Sequence, residues 1–388
     1  MKGGMAFLSS VGALGGLSTF YYLVVPFLFV LTVVVFVHEL GHFLIARWSG
    51  VRVLVFSIGF GRELVGFTDR HGTRWKIAAV PLGGYVKFFG DENVASVPDR
   101  DTVAAMTEAE RNESFFHQPL GKRAAIVAAG PIANFILAVL IFGAVFAIYG
   151  RPDNVARVDA VEPNSAASTA GFRPGDVVVA IDDQPIKTFT EMQRVVRAHP
   201  DQPIRITIER DGRDVTVSAV PTLKEVPDNF GKVHRFGILG IQGPRDRIPV
   251  GPLGAVGYGA QETWSIVDET FSYLYRMVTG RESADQLGGP VGIALMSGEA
   301  AKLGFDVLIR WVAAISVSIG LLNLFPIPLL DGGHLLFYGL EGLRGRPLSE
   351  RTQEIGFRIG FAIVLMLLVF ATYNDIPRLF AVFHRIWS

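Results

Sequence analysis

The residues best suited to chemistry are His38, Glu39 and His42, in the run Val37-His38-Glu39-Leu40-Gly41-His42. On a helix, positions four apart lie one turn apart on nearly the same face. Both imidazoles can therefore reach one metal ion, with Glu39 beside the ion's open position. The chain has no cysteine, so thiolate ligands are excluded and a metal must be held by nitrogen and oxygen. A pair of core histidines satisfied by hydrogen bonds is the plainer alternative. The setting argues against it, because the three polar groups lie inside an apolar run from Phe20 to Ala46, and ionisable groups at membrane depth are costly and mark function.

A catalytic zinc takes three protein ligands and leaves the fourth position open. Asp331 is the only carboxylate between Asp306 and Glu341. It follows Asn323-Leu324-Phe325-Pro326-Ile327-Pro328-Leu329-Leu330 and precedes Gly332-Gly333-His334. It can ligate; the plainer reading is a cap on a helix that restarts after Pro328, and one carboxylate can cap and coordinate together. His334 is the rival third ligand. The Asn323 amide can bind substrate backbone or a developing oxyanion, or can bond between helices. Asn134 reads as an interhelical bond of the second kind.

These groups need a scaffold, and composition says which. Half of the 388 residues are hydrophobic and formal charge is zero, which suits a membrane protein with soluble insertions and gives no argument for a nucleic-acid partner. Four segments are apolar enough to span: 20–46, 124–149, 311–340 and 356–373. No charged residue lies between Gly3 and Val37, and we expect an uncleaved anchor there because a signal peptide would have to spare His38. The third span holds Pro326, Pro328 and Asp331, and such irregular backbone is tolerated only where it lines an internal site.

Between the first two spans, alternation from Val51 to Gly90 with a turn at Asp69-Arg70-His71-Gly72 predicts membrane-proximal β-hairpins. Asp91 to Glu113 reads as a solvated loop or short polar helices. From Arg151 to about Leu223 the chain turns soluble, with β-type runs at 155–158, 177–181, 204–208 and 215–220 around a helix over 189–198. After a linker, Gln261 to Val278 reads as an amphipathic surface helix and Leu287 to Gly292 as a glycine-rich loop. The fold class is thus a multi-span α-helical membrane protein with four transmembrane helices, a membrane-proximal β-hairpin region and an inserted small α+β domain. The boundaries expected are 1–50, 51–121, 122–150, 151–223, 224–304 and 305–388. Arginine and lysine bias tips the 47–123 loop toward the cytoplasm, and with it the small domain and both termini to the other side. His71, His117, His199, His234 and His384 stand alone and read as surface or loop residues.

The pair His38-Glu39-Leu40-Gly41-His42 and Asn323 through Asp331-Gly332-Gly333 resembles the signature of the site-2 protease family of intramembrane zinc metalloproteases. Gly130-Pro131-Ile132-Ala133-Asn134 and Gly289-Pro290-Val291-Gly292 are similar to its bacterial regulator of sigma-E protease branch. Ala170-Gly171-Phe172-Arg173-Pro174-Gly175-Asp176 before Val177 to Ile181 resembles the PDZ domains of bacterial periplasmic proteases; the branch's better-known members carry two, and one is found here. The resemblance implies zinc on His38, His42 and Asp331, Glu39 as general base, and substrate binding at Asn323, Pro326 and Pro328. It further implies an inner-membrane enzyme with a periplasmic PDZ-like domain that takes peptide C-termini or extended segments. Its substrates would be transmembrane segments of single-pass proteins in the lipid bilayer, such as anti-sigma factors or remnant signal peptides. A non-catalytic PDZ-bearing membrane adaptor with a degenerate metal site is the alternative, and the intact Glu39 speaks against it.

Overall fold

The computed structural model describes residues 2–91, 106–227, 233–244, 246–284 and 287–387, excepting the side chains of 2–20, Leu82, Pro227, His234, Glu350 and 381–387. Most of the 91–113 loop, and the surface readings of His234 and His384, lie outside what is described. The chain divides into two units: residues 1–145 with 252–376, and residues 146–251 with the last twelve.

In the first unit, α1 (Lys2–Trp48) is one continuous helix carrying Pro26, and α3 (Leu120–Tyr149) carries Pro131. Between them stand β1 (Val53–Thr68), β2 (Arg74–Phe88) and the short α2 (Glu108–Glu113). The rest of the unit is α6 (Pro252–Val278), α7 (Pro290–Leu303), α8 (Phe305–Leu324), α9 (Asp331–Arg344) and α10 (Glu350–Trp387). Among the described residues, four stretches are long and apolar enough to cross a membrane: 21–48, 120–149, 305–324 and 351–380.

The third differs from the expected 311–340. Pro326 and Pro328 deny two amide hydrogens to the ladder and disfavour helix in the residues before them, so α8 ends at Leu324 and α9 starts afresh at Asp331. The 289–292 segment also differs from a plain loop. Pro290 is the first residue of α7, a position where proline suits a helix start, and Asp375 Oδ2 accepts the Gly292 amide at 2.9 Å across the unit.

The 51–90 region is one long bent antiparallel hairpin. Val53–Ile58 pair with Gly84–Phe88, and Val65–Thr68 with Arg74–Ile77. Asp69 closes the turn as expected: its Oδ1 accepts the His71 and Thr73 amides at 2.8 and 3.0 Å, and its Oδ2 takes Arg47 at the end of α1. Phe56 stacks on the Trp75 ring at 4.4 Å with Phe43 of α1 edge-on. Phe43, Phe56, Val86, Phe88, Phe115 and Ile126 form one buried cluster that fixes the hairpin against α1 and α3. A second cluster, Val30, Val34, Leu308, Val312 and Ile315, fastens α1 to α8.

The second unit contains β3 (Arg151–Pro152), β4 (Ala160–Val161), α4 (Ala166–Thr169), β5 (Val177–Ile181), β6 (Gln184–Pro185), α5 (Phe189–Ala198), β7 (Ile204–Arg210) and β8 (Arg213–Ala219). Its main sheet has the order β6-β5-β7-β8. The β-type run at 155–158 makes only an isolated bridge, Arg157 to Val177. Where the sequence suggested a boundary at 223, the unit continues through β9 (Thr222–Pro227), β10 (Val233–Ile238), β11 (Ile241–Gln242) and β12 (Arg247–Ile248). The reason is packing: β11 pairs with β4, β12 with β3, and Leu239 is buried in the same core as Val158, Ile206 and Met192.

Candidate metal centre

His38 and His42 occupy successive turns of α1, as their spacing requires, with ring centroids 4.8 Å apart. Asp331 is brought to them by the restart of the chain after Pro328. It is the first residue of α9; Leu330 holds the cap position and no side chain caps this end, so the capping alternative is not realised. Two features let α9 begin so close to the preceding loop. Leu329 adopts φ +91°, a conformation that a branched side chain takes only under tertiary constraint. A Cβ at Gly332 would strike the carbonyls of Leu324 and Phe325, and one at Gly333 would lie 2.5 Å from Pro328 Cα. Only glycine allows that approach at either place.

The three ligand atoms lie within 4.8 Å of one another. The His38 and His42 Nε2 atoms are 3.2 Å apart, and the Asp331 carboxylate reaches them at 3.1 and 3.6 Å. Bond lengths of 2.0–2.1 Å on a tetrahedral zinc place neighbouring donors about 3.3 Å apart, so the donor set fits that ion. Asp331 Oδ2 is buried and makes no hydrogen bond despite its nearness to His38, as suits a carboxylate whose partner would be a cation. His334 is not part of the cluster; its ring packs against Phe357 and Tyr338, at 5.6 and 6.4 Å.

Helix α3 supplies what sequence reasoning missed. A Cβ on Gly130 would overlap His42 Nε2 and sit 2.9 Å from His38 Cε1, so this glycine clears the space the imidazoles fill. Gly41 does the same for the two backbones, since a Cβ there would strike the Ala129 carbonyl. His42 Nδ1 lies 2.9 Å from the Ile126 carbonyl oxygen. A carbonyl only accepts, so Nδ1 carries the proton and Nε2 is left bare for a metal. His38 Nδ1 meets the side-chain amide of Asn134 at 3.2 Å. The available signal was a Gly-Pro pair inside an otherwise apolar helix; nothing local says which helix it faces.

Glu39 stands beside this cluster against β2. A Cβ at Gly84 would come within 3.1 Å of Glu39 Cγ, and the Val86 backbone hydrogen-bonds the Glu39 carboxylate. Asn323 lies in the last turn of α8, on the far side of the proline break from Asp331. Pro326 lines an apolar cavity of about 650 Å³ with Phe135 of α3, Trp264 and Phe271 of α6 and Leu321 of α8. Pro328 is used differently: Gly360 of α10 presses on it, and a Cβ there would overlap its carbonyl.

The profile described as Peptidase family M50 matches residues 26–367. A Rhizobium meliloti protein named as a candidate zinc metalloprotease is 53% identical over 369 residues, 94% of this chain and 99% of that one. Metalloprotease MmpA of Caulobacter vibrioides is 40% identical over 383 residues, covering 92% and 96%. Among solved structures, the PDZ domain of the SdrC-like protein of Listeria monocytogenes covers 23% of this chain and 87% of its own at 16% identity, with a TM-score of 0.18 too low to bear on the fold.

Proposed function

Since the chain belongs to peptidase family M50, the site-2 protease family of zinc metalloproteases, we propose that it hydrolyses a peptide bond within the transmembrane segment of a single-pass membrane protein. The observation that carries this reading is that Asp331 meets His38 and His42 around one point, the two histidines and Glu39 lying on a helix apolar enough to span. In it His38, His42 and Asp331 hold zinc. When bound, zinc acidifies water and polarises a carbonyl oxygen.

The chain's own residues do the rest. Glu39 Oε takes a proton from the attacking water and returns it to the leaving amine, as a general base that becomes a general acid. Val86 orients that carboxylate through its backbone bond. Asn323 at the end of α8 donates its amide to substrate backbone or to the developing oxyanion. Pro326 lines the apolar cavity that receives substrate side chains, a use supported by its neighbours Phe135 and Leu321. Pro328 contributes by shaping the turn into Asp331.

A helical substrate hides its carbonyls in its own hydrogen bonds, and the β1–β2 hairpin offers strand pairing once that helix is unwound. The second unit serves as a PDZ-like module for peptide C-termini or extended segments. A cleft of about 180 Å³ lined by Met192, Val196, Arg197 and Phe236 supports that use. The enzyme resides in the bacterial inner membrane with this unit periplasmic, where it acts on anti-sigma factors or remnant signal peptides after a first cut. Exposed Phe361, Met366 and Val369 on α10 suit a lipid environment.

The test is co-expression with a single-pass substrate tagged at both ends and lacking its outer domain. Wild-type enzyme releases a fragment cut within the span; Glu39→Gln leaves the substrate intact while keeping about one zinc per chain. Undiminished cleavage by purified Glu39→Gln protein overturns the assignment.

A further inference from the structure

We propose that Asn134 is a positioning residue that sets the tautomer of His38 for metal binding, an inference that rests on His38 being a ligand. Asn134 is fully buried in α3. It is held from a third helix: Ser316 Oγ of α8 donates to its backbone carbonyl at 2.9 Å, and Gly320 lets α8 approach so that a Cβ there would sit 3.1 Å from Asn134 Cβ. Its side chain then has one polar neighbour of consequence, His38 Nδ1 at 3.2 Å.

Which end of the amide faces Nδ1 decides where the imidazole keeps its proton. With the NH2 donating, Nδ1 is a bare acceptor and the proton sits on Nε2, toward His42 and Asp331, where it blocks a cation. In that orientation Asn134 Oδ1 is buried with no hydrogen bond. Turned end for end, Oδ1 accepts from Nδ1–H and the Nε2 lone pair is free. His42 has no such choice, because its Nδ1 faces the Ile126 carbonyl. The amide is therefore the adjustable member of the pair: it tolerates the metal-free ring and, reversed, fixes the ligating one. A metal-bound histidine needs an acceptor behind it, and loss of such a partner typically lowers metal affinity 10- to 100-fold.

The test uses full-length protein in detergent with zinc as the probe, measuring zinc affinity by equilibrium competition with a chromogenic chelator and the thermal midpoint of each protein in excess chelator. We expect Asn134→Leu, which keeps the volume and removes the acceptor, to bind zinc about 10- to 100-fold more weakly than wild type. Asn134→Asp, which keeps an acceptor at the same place, should recover most of that loss. His38→Ala is the reference for a lost ligand. Wild-type affinity in Asn134→Leu while His38→Ala has lost its zinc overturns the role of Asn134 and leaves the metal site standing. Wild-type affinity in His38→Ala overturns the site itself. Should Asn134→Leu fail to fold, Asn134→Asp decides alone: affinity as low as that of His38→Ala overturns the proposal that an acceptor behind His38 sustains zinc binding.

Discussion

Replacing Gly130 by alanine separates packing around the metal centre from stability more sharply than removing a ligand does. A Cβ at that position would overlap His42 Nε2, lie 2.5 Å from His42 Cε1 and 2.9 Å from His38 Cε1. Unstrained carbon contacts sit at about 3.5–4.0 Å, so both rings must retreat by roughly 1 Å. Zinc–nitrogen bonds are confined to about 2.0–2.1 Å, and a displacement of that size at a reacting centre costs on the order of 100-fold in rate. The helix itself gains, since alanine is favoured over interior glycine by about 1 kcal/mol. Overpacking takes back about 1–3 kcal/mol, leaving a net loss of roughly 0–2 kcal/mol. Gly130→Ala should therefore fold with a nearly unchanged thermal midpoint, bind zinc at least about tenfold more weakly, and cleave a co-expressed tagged substrate about 100-fold more slowly. Gly121→Ala on the same helix, with nothing within 4 Å of its Cβ, should change neither zinc affinity nor cleavage. Wild-type zinc affinity together with wild-type cleavage in Gly130→Ala would refute the claim that α3 closes on the imidazoles at this residue.

Gly333→Ala should shift Asp331, because the new Cβ meets Pro328 Cα at 2.5 Å; we expect about 1–3 kcal/mol of destabilisation and weakened zinc binding, read by thermal midpoint and chelator competition. Gly339→Ala, in the same helix with nothing within 4 Å, should instead be neutral or stabilising. In the second unit, burial pushes the Asp176 carboxyl up, but hydrogen bonds from Arg210 and the Arg173 amide, with both arginine charges, hold it below its ordinary value. A depressed folded value means the stabilisation is full above the ordinary carboxylate range and is lost as pH falls through that range and below it. Protection of the Val178 amide in the full chain, its exchange rate set against the intrinsic rate at each pH, should fall over that acid window in wild type and be low already at neutral pH in Asp176→Asn; an equal acid response in both proteins would dismiss the ion pair as its cause.

What the sequence made legible follows a physical divide. His38, Glu39 and His42 are readable because helical periodicity alone puts them on neighbouring turns, and an apolar run makes them conspicuous. Asp331 is readable by scarcity, as the single carboxylate between Asp306 and Glu341. The helix break was half legible: Pro326 and Pro328 announce irregular backbone, yet the strained Leu329 and the glycines pressed on carbonyls at 332 and 333 appear only once the chain is folded. Leu239 and the strands around it were invisible as part of the small unit, because their pairing with residues some eighty positions earlier leaves no local period. Gly130 and Asn134 were visible as letters in a motif and silent as to purpose, since their partners lie on α1, about ninety residues away.

The spacing within that motif has a geometric reason once both helices are laid side by side. His42 pairs with Ile126 and His38 with Asn134, so the numbering falls on α1 as it rises on α3 and the two helices run antiparallel here. Ile126, Gly130 and Asn134 are four apart, a stripe on one face of α3 that matches the four-residue step between the histidines. Each member does one thing: a carbonyl that fixes one tautomer, a missing side chain that admits both rings, and an amide that holds the other ring. Pro131 sits in this stretch and withholds the amide hydrogen that the Val127 carbonyl would otherwise take, while the Gly41 gap against Ala129 sets how closely the helices approach. Sliding α3 by one turn in either direction would present Ala138 or Gly130 to His38 in place of the amide, and neither side chain can bond a ring nitrogen. The two imidazoles therefore specify the register of these apolar helices as much as the helices specify the histidine cluster.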